Sequence, residues 1–255
     1  MRIDTIGGGP PLVLLHGWAM HSGVFAPLVE RLRADFTLHL VDLPGHGHNR
    51  DSELPLALDA VAAAIAERAP RAAWLGWSLG GLVALQAAQA HPAAVRGLAL
   101  VCASPRFVRA PDWPQGMDPV VFQTFASELA RDYRGTIDRF LMLEAQGSDR
   151  VREELRLLRA QVFAVCEPSP ERLAEGLALL QDSDLRAGLP ALAMPSLWIA
   201  GRRDRLVFPQ AMEDAATMAP GALFLRIEHG GHAPFLGHAD EVAAALRTFH
   251  ASLAA

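Results

Sequence analysis

The sequence predicts an α/β fold, a mostly parallel central sheet with helices on both faces. Two observations lead there. Short runs rich in Val, Leu, Ile and Trp recur along the chain and end in Gly, Ser, Asp or His: Pro11 to His16, Phe36 to Asp42, Ala72 to Gly76, Gly97 to Ser104, Ser196 to Gly201 and Ala222 to His229. Between them lie helical patterns, among them Val24 to Ala34, Leu56 to Ala69 and Leu79 to Ala90, the last closed by His91-Pro92. Continuous apolar runs of this length suit strands buried on both faces. Their alternation with helices argues for a parallel sheet covered on both sides.

The alternation stops between about residues 111 and 189, where the periodicity is helical throughout. This predicts an α/β core made of residues 1–110 and 190–255, with 111–189 inserted between two strands as a helical cap. Such an insertion would sit over the carboxyl ends of the strands, where open α/β sheets bind their ligands.

Composition narrows the function. A chain of 255 residues, 51% hydrophobic and 20% charged, can bury one large core. A net charge of -5 offers no basic face for phosphates, which argues against a nucleic-acid partner. No segment reaches the roughly 18 apolar residues that span a bilayer. Met1 to Pro10 holds no apolar stretch that could serve as a signal-peptide core, so a cytoplasmic, membrane-free and monomeric protein is expected. Cys102 and Cys166 are far apart in apolar surroundings and read as buried free thiols.

The chemistry centres on Gly76-Trp77-Ser78-Leu79-Gly80-Gly81, which ends one predicted strand and opens a helix. That context turns a G-x-S-x-G match into a nucleophile elbow. A serine hydroxyl is a weak nucleophile at neutral pH and needs a base within reach and a third group to fix the base's tautomer. Ser, then Asp or Glu, then His is the chain order for such an elbow. Asp204, just past the strand Ser196 to Gly201, is the expected acid, with Asp182 and Asp184 as alternatives. His232, in the glycine-rich loop after the last strand, is the expected base, with His229 its close rival. The backbone N–H groups of Leu79 and Trp18 are the expected oxyanion donors. Asp42 to Gly47 lacks the Lys and Ser/Thr of a phosphate loop and reads as a structural turn. Ester hydrolysis by this set needs no cofactor and no metal.

These residues, together with Leu14-Leu15-His16-Gly17-Trp18, resemble the α/β-hydrolases, and the likeness spans nearly the whole chain. Three segments resemble more closely the BioH-type carboxylesterases of biotin synthesis: Phe36 to Gly45, Trp74 to Ala84, and His232-Ala233-Pro234-Phe235. The resemblance implies hydrolysis of the methyl ester at the far end of a pimeloyl chain carried on acyl carrier protein, with the carrier's thioester spared. It also implies a pocket-lining stretch in the cap, Phe140, Leu141, Met142, Leu143 and Glu144, where Glu144 stands in place of an expected glutamine. Cap arginines would meet the acidic carrier; Arg152, Arg156 and Arg159 share a helix face, with Arg139 nearby. The region as a whole is acidic, since residues 110–187 hold 14 acidic and 9 basic side chains. A general short-chain carboxylesterase, a carbon–carbon bond hydrolase and a non-catalytic ligand-binding member remain alternatives, because the cap decides the substrate. Ser78 argues against dehalogenases and epoxide hydrolases, which use an aspartate nucleophile.

Overall fold

The computed structural model describes residues 1–253. Its strands are β1 (Ile3–Gly7), β2 (Pro11–Leu15), β3 (Thr37–Val41), β4 (Ala72–Trp77), β5 (Val95–Val101), β6 (Ser196–Gly201) and β7 (Leu223–Ile227). They form one sheet in the order β1-β3-β2-β4-β5-β6-β7. β1 is antiparallel to β3, and every other neighbouring pair is parallel. β4 and β6 are buried along their whole length, in keeping with their unbroken apolar runs.

The connections are α1 (Ala26–Leu32), α2 (Leu58–Ala66), α3 (Leu79–Ala90), α4 (Pro119–Leu129), α5 (Tyr133–Ala145), α6 (Val151–Val162), α7 (Pro170–Asp182), α8 (Pro209–Met218), α9 (Pro234–Gly237) and α10 (Ala239–Ser252). α1 packs on α10 and α2 on α3. Six of the seven strands coincide with the apolar runs read from the sequence. β1 is the one missed: its five residues are half-buried or exposed, as an edge strand allows.

Four helices, α4 to α7, fill the connection from β5 to β6 in the stretch set apart as a cap. Local chemistry starts them. The Asp118 carboxylate accepts from Val120 N–H, that of Asp132 from Gly135 N–H, and the Ser169 hydroxyl from Arg172 N–H. Two isolated bridges, Val108 with Met117 and Ala110 with Trp113, precede α4, so this approach is not wholly helical. Among the described residues no helix is long and apolar enough to cross a membrane.

The thiols differ from one another. Cys102, at the end of β5, is buried, whereas Cys166 is partly exposed and donates its S–H to the Gly47 carbonyl. The expectation of two buried thiols therefore holds for Cys102 alone. Cys166 lies on the cap's outer approach to the loop after β3.

Candidate active site

Ser78 stands between β4 and α3 with φ 53° and ψ -121°, a left-handed backbone that a non-glycine residue adopts only under strain. The glycines around it explain how the turn is accommodated. A Cβ on Gly76 would come within 2.4 Å of the Gly80 carbonyl oxygen, and one on Gly80 within 2.3 Å of the Leu15 carbonyl oxygen. The helix can thus start hard against the sheet, and the serine is thrust out of the strand line.

His232 and Asp204 reach this serine from the ends of β7 and β6. Ser78 Oγ lies 2.9 Å from His232 Nε2, and His232 Nδ1 lies 2.8 Å from Asp204 Oδ2. A carboxylate only accepts, so Nδ1–H donates to Asp204 and Nε2 is left to accept the Ser78 hydroxyl proton. Asp204 Oδ1 accepts from the backbone N–H of Leu206 at 2.8 Å and Val207 at 3.0 Å, which fixes the carboxylate. The Trp77 indole donates to the His232 carbonyl at 2.8 Å and anchors the histidine loop to the elbow. All three polar side chains are buried.

The alternatives lie elsewhere. His229 is exposed, 3.1 Å from an Arg203 guanidinium nitrogen. Asp184 is held by Arg186 and Arg106, which keep its carboxyl far below the usual carboxylate range, and Asp182 is exposed at the end of α7.

Gly17 brings the loop that carries Trp18, the expected second oxyanion donor, close to the nucleophile, since a Cβ there would lie 3.2 Å from Ser78 Cβ. Leu79 is the first residue of α3, so its N–H has no carbonyl one helical turn back. His16 holds the loop from behind: its Nδ1–H donates to the Gly17 carbonyl at 2.8 Å, and its Nε2 accepts from Leu43 N–H at 2.9 Å. Burial, reinforced by nearby His46, pushes the His16 pKa down to about 3, so this neutral arrangement persists throughout the working pH range. The sequence marks His16 only as part of the loop that carries the expected donor Trp18; the bond of its ring to Leu43 N–H appears only in the fold. Asp42 staples the same region, accepting from Ser22 N–H and His48 N–H at 2.7 Å each. The segment from Asp42 to Gly47 is thus a structural turn.

Helices α5 to α7 pack against the loop after β2. The Trp18 indole donates to the Leu173 carbonyl of α7 at 2.8 Å, and its ring packs on Phe140 of α5 with centroids 4.6 Å apart. His21, beyond the same loop, lies 2.8 Å from the Gln161 carbonyl at the end of α6. Of the expected cap stretch, Phe140, Leu141 and Glu144 point inward and are buried. Met142 is 42% exposed and, with the partly buried Leu143, lines an outer groove of about 490 Å³ shared with Arg139, Gln146, Val151 and Leu155. Helical periodicity carries Met142 to the outside, away from the expected pocket, while Leu143 packs partly against the core.

The expected arginine cluster also divides. Arg139 is bound to Glu128 and Asp132, and Arg159 makes two bonds to Asp138. Arg152 and Arg156 are exposed and carry no ion pair among the described residues.

Cys102, Asp204 and His232 offer atoms within 4.8 Å of one another, the spacing of a metal site. Asp204 and His232 already use theirs on each other and on Ser78, while burial first and then the charge of Asp204 push the Cys102 thiol well up. It sits in this centre as an un-ionised thiol, too weak a nucleophile to compete with Ser78.

A strained serine elbow at the carboxyl edge of a mostly parallel sheet defines the class, and the chain belongs to the α/β-hydrolase fold family, whose model matches residues 10–239. Curated relatives match it from end to end. The pimeloyl-acyl carrier protein methyl ester esterase of Stenotrophomonas maltophilia is 60% identical, over 99% of this chain and 97% of that one. The protein of the same name from Xanthomonas oryzae is also 60% identical, over 99% of this chain and all of that one. Solved structures share the fold at lower identity. An esterase from Exiguobacterium antarcticum superposes with TM-score 0.84 at 23% identity, covering 97% of this chain and 94% of that one. An enol-lactonase from Burkholderia xenovorans gives 0.85 at 20% identity, covering 98% and 96%.

Proposed function

We propose that the chain is a serine carboxylesterase that hydrolyses the methyl ester of pimeloyl-acyl carrier protein to pimeloyl-acyl carrier protein and methanol, a step of biotin synthesis. The observation that carries the chemistry is the buried relay Ser78, His232 and Asp204, joined at 2.9 and 2.8 Å. End-to-end identity of 60% with esterases of that name supports the substrate.

In this reading Ser78 Oγ attacks the ester carbonyl while His232 Nε2 takes its proton. The developing oxyanion is met by the N–H groups of Trp18 and Leu79, helped by the positive end of α3. His232 then protonates the departing methoxide, and water reverses the sequence to release the acid. Asp204 keeps its charge and holds the imidazole tautomer throughout. No cofactor enters the cycle.

Residues 111–189 act as the cap that selects the substrate. Ser78 and His232 have no exposed surface, so α5 and α7 must move aside for an acyl chain to reach them. The thioester is spared by position: only the distal methyl ester comes within about 3 Å of Ser78. The carrier docks through Arg152 and Arg156, whose charges are not already neutralised within the cap. The enzyme works in the cytoplasm as a monomer.

Mass spectrometry of methyl pimeloyl-acyl carrier protein incubated with the purified enzyme tests the proposal. Conversion to the free pimeloyl acid with the thioester intact, lost in Ser78→Ala, supports it. Rapid cleavage of simple short-chain esters with the carrier substrate untouched would reduce it to a general carboxylesterase.

A further inference from the structure

His232 follows directly on Gly230-Gly231. Two glycines give a backbone little stiffness of its own, so the place of the imidazole is set by what packs around the loop. From the elbow, the Trp77 indole holds the His232 carbonyl at 2.8 Å, and from the acid loop Arg203 N–H holds the Gly230 carbonyl at 3.0 Å. A third support comes from the turn between α5 and α6, residues 146–150.

This turn straddles the base. On the near side of His232, Asp149 N–H donates to the His229 carbonyl at 3.3 Å, and a Cβ on Gly231 would lie 3.1 Å from Ser148 Cβ. On the far side, Asp149 Oδ1 lies 3.1 Å from His238 Nε2, and a Cβ on Gly237 of α9 would lie 2.6 Å from Glu154 Oε1. The turn also meets the acid loop: a Cβ on Gly147, whose φ is 94°, would fall 2.0 Å from the carbonyl oxygen of Arg203, the neighbour of Asp204.

One buried hydrogen bond gives the turn its shape. The Ser148 hydroxyl donates to Glu154 Oε1 at 2.7 Å and accepts from Arg150 N–H at 3.1 Å. Both side chains are buried, so removal of one leaves the other without its partner and away from water. Ser148 presses on the residue before His232, Glu154 presses on the helix after it, and the bond between them joins the two contacts.

We propose that Ser148 and Glu154 are positioning residues for His232, the bond between them fixing the base loop so that Nε2 stays 2.9 Å from Ser78 Oγ. The inference rests on the proposed function, because a working relay is what needs its base held to this tolerance. No substrate contact is asked of either residue. A tilt of the loop would disturb both bonds of His232 together, and misplacement by about 1 Å can slow an enzyme about 100-fold.

Three substitutions test this. Ser148→Ala removes the bond and keeps the Cβ against Gly231, Glu154→Leu removes the acceptor, and Glu154→Gln keeps an acceptor for the hydroxyl. With p-nitrophenyl acetate, the first two are expected to lower kcat about 10-fold with KM unchanged, and Glu154→Gln to retain most of it. The Nδ1–H proton of His232, shared with Asp204 at 2.8 Å, reports the relay through its far-downfield proton resonance with no substrate present. That resonance should shift or broaden in Ser148→Ala and Glu154→Leu and match wild type in Glu154→Gln. Thermal melting shows whether the fold is retained, and Ser148→Ala, which removes a single oxygen, decides the matter if Glu154→Leu does not fold. Wild-type kcat with an unmoved resonance in Ser148→Ala overturns the proposal, as does a rise in KM at unchanged kcat, or a Glu154→Gln enzyme as slow as Glu154→Leu. If the wild-type protein hydrolyses no ester at all, the proposed function falls, and the resonance alone decides whether the pair positions His232.

Discussion

The indole of Trp18 donates to the carbonyl of Leu173, 155 residues later in the chain, so a single side chain fastens the loop after β2 to helix α7. The residue proposed as the second oxyanion donor is therefore also tied to the position of the cap.

Trp18→Phe should separate these duties, since it leaves the backbone N–H and removes the indole bond. A net hydrogen bond is worth about 1 kcal/mol, and lost ring packing adds to that. The expected result is a lower melting temperature and faster amide exchange in α7, with the ratio of long-chain to short-chain ester turnover unchanged. Unchanged exchange in α7 would show that the cap is held by its other contacts, such as Leu56 N–H to Glu175.

Ser78→Ala should fold normally and lose activity by on the order of 10⁶-fold, as removal of a triad serine does elsewhere. Asp204→Asn would leave the imidazole in the wrong tautomer and cost on the order of 10⁴-fold in kcat. Both are read with an activated ester beside a thermal melt. A small effect of Asp204→Asn would mean that the 2.8 Å contact to His232 does not set the tautomer.

Glu154 of α6 is buried, accepts from the Ser148 hydroxyl at 2.7 Å, and has a second oxygen with no partner among the described residues. Burial pushes its pKa up to about 7. The folded state thus binds a proton that the unfolded chain releases near its ordinary, lower pKa. Its contribution to stability is full below that lower value and is lost as pH rises towards 7. Glu154→Gln should therefore gain on wild type by about 2 kcal/mol more at pH 8 than at pH 5, measured by denaturant unfolding. An equal difference at the two pH values would show that Glu154 is ionised in the fold.

Arg152→Glu and Arg156→Glu should raise KM for a carrier-bound substrate at low salt and leave the hydrolysis of p-nitrophenyl acetate unaltered. Exposed interfacial charges act through encounter and screening, so the difference should shrink as salt is added. Arg159→Ala should matter less to carrier binding, since that guanidinium is already bound to Asp138. If charge reversal at both positions left KM unchanged, the carrier would have to dock elsewhere.

The parts of this molecule that could be read from the sequence are those where one short segment contains its own reason. The elbow is such a segment, because strand, glycines, serine and helix follow one another directly. The buried parallel strands are another, since two covered faces demand an unbroken apolar run. β1 escaped because Ile3–Gly7 is a half-exposed edge with a polar centre, and only its register against β3 makes it a strand. Within the cap, the face that α5 turns inward depends on how α4 and α6 pack beside it and on Trp18, which lies far away in sequence. That is why Met142 and Glu144 could not be told apart. The pairing of Arg159 with Asp138 likewise exists only once α6 lies beside α5.

The sealed nucleophile has a thermodynamic consequence for competition between substrates. In the proposed reading an ester binds only to molecules whose cap has swung away, so its apparent affinity is its intrinsic affinity multiplied by the fraction of time spent open. That fraction is common to every ester in the mixture and cancels from any ratio between them. Loosening the cap would make the enzyme hungrier for all esters alike, while the choice among them is made by the walls that meet the acyl chain after it has gone in.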